Sequence, residues 1–107
     1  MTDEEIAKGL TEAECRAVRV MEDYSDSDTP CRNSRDLARE MTAIAPDDVS
    51  YDEHQAKFIA RYLVSLGLAE AETGLVTSDG DFYGSGWRLN KLGLRVRAIL
   101  EAQDANK

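Results

Sequence analysis

Apolar residues recur at helical spacing along most of this chain, and the clearest case is the stretch from Ser50 to Leu68. At 100° per residue, Tyr51, Phe58, Ile59, Tyr62, Leu63 and Leu66 gather on one face, with Glu53, His54, Lys57 and Arg61 on the other. Ser50 and Glu53 have the spacing of a capping box, and Gly67 is placed to end the helix in the left-handed conformation. The pattern predicts a helix over 51–66 that buries its apolar side and leaves a cationic side outward.

The same pattern predicts shorter helices before it. Thr2 and Glu5 start a short helix over residues 3–8, anchored by Ile6 and Leu10 and ended by Gly9. Thr11 and Glu14 repeat the box and open a helix to about Tyr24, with Ala13, Ala17, Val20, Met21 and Tyr24 inward and Glu12, Arg16, Arg19 and Asp23 in solvent. The polar run 25–33, broken by Pro30, is a loop and lacks the central glycine and closing glutamate of a calcium site. Ser34 then caps a helix with Leu37, Ala38, Met41 and Ile44 inward and Arg35 and Arg39 outward, ended by Pro46 and the aspartates after it.

Past Leu68 the periodicity changes to that of a hairpin. Asp79-Gly80 suits a two-residue type I′ turn, and counting outward pairs Thr77 with Phe82, Val76 with Tyr83, Glu72 with Trp87 and Glu70 with Leu89. The last two pairs would set carboxylates on the same face as the two residues most suited to burial, so the sequence predicts a bulge at Gly84 or Gly86 that slips the register by one. Asn90 caps a closing helix with Leu92, Val96, Ile99, Leu100 and Gln103 on one face. A second stripe of Leu94, Ala98 and Ala102 is a candidate dimer contact.

Length and composition agree with one α+β domain, mostly helical: 107 residues with 42% apolar content can bury a single core. Residues 11–103 form that domain, with 1–10 as an N-terminal segment and 104–107 as a tail. No apolar run approaches the ~18 residues of a membrane span, and no signal-peptide pattern opens the chain, so a cytoplasmic location is expected. Cys15 and Cys31 have no zinc spacing and His54 is the single histidine, so neither a metal nor a cofactor is expected. The same lone histidine, with no cysteine near it in sequence and no glycine-rich phosphate loop, argues against an enzyme.

The formal charge of −8 runs against nucleic-acid binding, but it is unevenly spread. Residues 1–30 hold nine acids and three bases (−6), 31–67 six and five (−1), 68–86 four and none (−4), and 87–107 two and five (+3). The central helices are thus close to neutral.

The order helix, helix, long helix, hairpin, helix resembles a winged helix-turn-helix domain. DLAREMT stands for its second helix, IARYLVSLGLAEAE for recognition helix into wing, and GWRLNKLGLRVRAIL for wing into closing helix. The last two are similar to patterns of MarR-type and PadR-type regulators and of small phage or archaeal winged-helix proteins. The resemblance implies a homodimeric transcription regulator that lays the helix 51–66 in the major groove of double-stranded DNA. His54, Lys57 and Arg61 would then meet bases or phosphates, while Arg32, Asn33, Ser34, Arg35 and Arg39 would hold phosphates from the preceding helix and Arg88 from the wing base. Winged helices also serve as protein-binding modules, and the acidic hairpin, or the acidic surface as a nucleic-acid mimic, fits that alternative. A cationic strip joining Arg35, Arg39, Lys57 and Arg61 would favour DNA; its interruption by Asp52 and Glu53 would favour a protein partner.

Overall fold

A computed structural model describes residues 2–21, 33–76 and 82–105, with side chains left aside for 72–76, 82–85 and 105. Its elements run α1 (Asp3–Gly9), α2 (Glu12–Val20), α3 (Ser34–Ala43), α4 (Glu53–Ser65), β1 (Ala69–Val76), β2 (Phe82–Leu89) and α5 (Lys91–Ala105). This is a mostly helical α+β arrangement in which α2, α3 and α4 pack on one another, α4 leads into the hairpin, and α1 lies against α5.

Local chemistry explains most boundaries. The Glu5 amide donates to Thr2 Oγ1 (3.2 Å), and Thr11 and Glu14 close a reciprocal capping box. α2 ends earlier than its periodicity predicts, at Val20 with Met21 as its cap; Tyr24 and the loop that follows lie outside the described residues. Val18, absent from the predicted face, is fully buried beside Ala17 and Met21. α3 is capped by Asn33, whose Oδ1 accepts the Asp36 amide (2.8 Å), and not by Ser34. Leu37, Ala38 and Met41 are buried as predicted, whereas Ile44 falls beyond the helix and is exposed.

The start of α4 is two residues later than predicted. Asp52 and Gln55 form the box: the Gln55 amide donates to Asp52 Oδ1 (2.8 Å) and the Asp52 amide to Gln55 Oε1 (2.9 Å). The deciding contact is tertiary. Thr42 Oγ1, at the end of α3, accepts the Tyr51 amide (2.9 Å) and donates to the Ala38 carbonyl (2.8 Å), which holds Tyr51 outside the helix. Tyr51 is thus held through its amide by Thr42 and through its hydroxyl by Arg16, and the helix takes Asp52 as its cap.

α4 ends as its sequence predicts. Gly67 has φ 81°, its amide donates to the Val64 carbonyl (2.9 Å), and the Leu68 amide donates to the Leu63 carbonyl (3.0 Å). This is a Schellman closure, and its accompanying apolar contact is supplied by Leu63 and Leu68, both fully buried.

In the hairpin, Ala69 pairs with Leu89, Glu70 with Arg88, Ala71 with Trp87 and Glu72 with Gly86. The one-residue slip is present, and its irregularities flank the Leu75–Gly84 pair. Glu70 therefore faces Arg88 across the ladder (3.5 Å) instead of Leu89. Nearer the turn Val76 pairs with Phe82, replacing the predicted Thr77–Phe82 and Val76–Tyr83 pairs; Asp79-Gly80 lies outside the described residues.

At the root of the hairpin Asn90 makes three ties. Its amide donates to the Leu68 carbonyl (3.1 Å), its Nδ2 to the Gly67 carbonyl (2.6 Å), and its Oδ1 accepts the Gly93 amide (3.0 Å). A Cβ on Gly93 would run into the Leu68 carbonyl and the Leu89 side chain, so only glycine lets α5 lie this close to the strands. Val96 and Leu100 fill the core beneath, Gln103 is exposed instead of inward, and the helix continues through Asp104 into residues predicted as tail.

Candidate nucleic-acid interface

The outward side of α4 is set by what its inward side buries. Ala56, Ala60 and Leu63 are fully buried, with Ile59 and Val64 packed beside them. This spacing of four and three residues is a helical stripe, and its small side chains suit the packing of α4 against α2 and α3. The predicted apolar face is therefore rotated: Phe58 is 75% exposed, Tyr62 43% and Leu66 37%. Large side chains dominated the projection, but at a close helix contact the alanines occupy the seam.

Half a turn from that stripe the surface combines cations and aromatics. His54 and Phe58 are two residues either side of Ala56, and Arg61 and Ser65 are two either side of Leu63, which at 100° per residue points all four away from the core. All four are exposed, as are Lys57 and Tyr62 flanking them. Among the described residues the side chains of His54, Lys57 and Arg61 make no hydrogen bond or ion pair. Lys57 does not pair with Glu53 along the helix, because Glu53 reaches across to Arg35 (3.2 Å). Gln55 is exposed and occupied in the capping box.

Of the other sequence-predicted cations, Arg35, Arg39 and Arg88 are engaged within the protein. Arg35 holds Glu53, and Arg39 Nη2 donates to Asp36 Oδ1 (2.9 Å). Arg88 pairs with Glu70 (3.5 Å). Asn33 uses its side chain to cap α3, Ser34 is half-buried beside it, and Arg32 lies outside the described residues. The strip from Arg35 and Arg39 to Lys57 and Arg61 is thus interrupted by Glu53, leaving the α4 group on its own.

Two arginines read as solvated are in fact ties between elements. Arg16 Nη1 donates to the Tyr51 hydroxyl (2.6 Å) as well as approaching Glu12 (3.8 Å), and Arg19 pairs with Asp104 of α5. Cys15 sits half-buried near the same place; burial pushes its thiol pKa up, with Glu14 and Asp104 adding to the rise against Arg19 and Arg16. A thiol so disposed is a poor nucleophile.

The predicted dimer stripe is reduced. Leu94 packs half-buried against the core, which leaves Ala98 and Ala102 exposed, two methyl groups against the roughly 1,000 Å² that a stable interface needs.

Two shallow apolar recesses border α4 on its Phe58–Leu66 side. One is lined by Ala13, Tyr51, His54, Gln55, Phe58 and Ile59, the other by Glu5, Ile6, Gly9, Leu10, Tyr62, Ser65 and Leu66. Among the described residues there is no cluster of metal-ligating side chains and no helix long and apolar enough to cross a membrane. Compared with protein-family models, curated proteins and solved structures, the chain matches none.

Proposed function

We propose that this chain is a winged helix-turn-helix protein that binds double-stranded DNA through α4 and acts as a small transcription regulator. The observation that supports this reading is the outward face of α4, where the side chains of His54, Lys57 and Arg61 stand exposed, without partners among the described residues, on a helix whose opposite face is locked into the core. A helix of 13 residues is about 20 Å long, enough to lie in a major groove and reach base edges and flanking phosphates. Lys57 and Arg61 reach guanine acceptors or phosphate oxygens, and His54 meets the same groove near the helix start. The neighbouring α3 contributes less, since Arg35 and Arg39 are already engaged by Glu53 and Asp36.

The net charge of −8 sets the character of such binding. Few phosphates are neutralised and the rest of the surface repels the duplex, so association is weak and confined to low or moderate salt. A fluorescence-anisotropy titration of random-sequence duplex against the protein tests it. The expected result is binding at low salt whose log affinity falls with log salt at a slope of about −2 to −3, one phosphate for each of two or three cations. Absence of binding at low salt sinks the proposal.

Two observations favour a second reading, a protein-binding module, the first being that Glu53 interrupts the cationic strip between α3 and α4. Phe58, Tyr62 and Leu66 form an exposed apolar line at four-residue spacing beside the recess that contains Ile6 and Leu10. Such a line fits an amphipathic partner helix. Under that reading the same titration shows no DNA binding at any salt concentration.

A further inference from the structure

We infer that Phe58 is the base-selecting residue of the α4 face, and that it takes the C5 methyl group of a thymine in the major groove. This rests on the DNA reading above and names the base that reading leaves open. Phe58 is the most exposed of the large apolar residues described, at 75%. It lies at the middle of the outward line, not at its margin: His54 precedes it by four residues, Arg61 follows it by three, and all three point directly away from Ala56 and Leu63. A helix entering a groove with His54 and Arg61 against polar base edges therefore carries the Phe58 ring to the floor between them.

The chemistry at that place is selective. A phenyl ring neither donates nor accepts a hydrogen bond with base edges, so it gains nothing from guanine O6 and N7 or from the amino groups of cytosine and adenine, and it desolvates them without replacement. The one apolar group that projects from the base edges of the major-groove floor is the thymine methyl. Lys57 and Tyr62 flank the line on its two sides, where their polar ends meet the walls of the groove. Cations would thus supply attraction and Phe58 would supply choice.

The test begins with selection of bound sequences from a random duplex pool, followed by replacement of each thymine in the selected duplex by deoxyuridine, which lacks only the methyl group. One replacement is expected to weaken binding of the natural protein by about fourfold, the worth of one buried methyl-sized group. The same replacement is expected to leave Phe58→Ala unaffected. Because Phe58 is exposed, that variant keeps its fold, which circular dichroism verifies. The inference is overturned if no replacement weakens binding, or if the loss persists in Phe58→Ala. Those outcomes leave DNA binding itself standing, whereas failure to bind any duplex removes both.

Discussion

α3 and α4 both turn cations toward solvent, yet they dispose of them differently. On α3, Arg35 and Arg39 are each met by a carboxylate at hydrogen-bonding distance, one from α4 and one from their own helix. On α4, Lys57 and Arg61 meet none among the described residues. The difference arises from where the acids stand: Glu53 is one helical turn from Lys57 but points toward α3, so the same residue that neutralises one helix leaves the other bare. Counting basic residues along a sequence therefore overstates what a partner would meet, and the count has to be taken after the internal pairs are removed.

That contrast can be broken most directly at its free end. Replacing Lys57 and Arg61 together by alanine should lower DNA affinity about a hundredfold at low salt and reduce the salt slope by about 2. Replacing Arg35 and Arg39 together should cost less than about threefold by the same titration, since their charge is already offset within the protein. Equal losses from the two pairs would erase the distinction between the helices.

The link between the two helices is the next lever. Thr42→Val removes the acceptor of the Tyr51 amide and should destabilise the fold by about 1–2 kcal/mol. In a thermal melt that corresponds to a fall of roughly 5–10 °C for a domain of this size. An unchanged melting temperature would mean that the bond from the Tyr51 amide to Thr42 does not stabilise the junction of α3 and α4. A smaller effect sharpens the comparison from the other side: Glu53→Gln releases Arg35 and should raise DNA affinity by about threefold. Because the pair is exposed, stability should move by no more than about 0.5 kcal/mol. Unaltered affinity would show that Arg35 lies away from the duplex.

How far these arrangements were readable in advance depended on the range of the interaction that set them. The Thr11–Glu14 box, the Gly67 stop and the Asn90 cap are governed by residues a few positions apart, and each stands where the sequence puts it. The hairpin slip was legible as well, because an unslipped register would have set Glu70 opposite the buried Leu89. The cap of α4 was not, since Ser50 and Asp52 both have suitable partners three residues on, and the choice falls to Thr42 on another helix. Nor was the rotation of α4. Its sequence holds two stripes, one of large residues and one of Ala56, Ala60 and Leu63, and the close approach of α2 and α3 selects the smaller. Either stripe leaves Lys57 and Arg61 on the outward side, where both are exposed. Phe58 was assigned to the buried face and is exposed, and the signal that turns it outward is the alanine spacing on the opposite side.

The three bonds of Asn90 have a mechanical meaning. One amide side chain bolts the last turn of α4 to the first turn of α5, with the root of the hairpin clamped between them. Replacing Asn90 would therefore free the Gly67 carbonyl and the Gly93 amide together, loosening both helices at the one point where they meet.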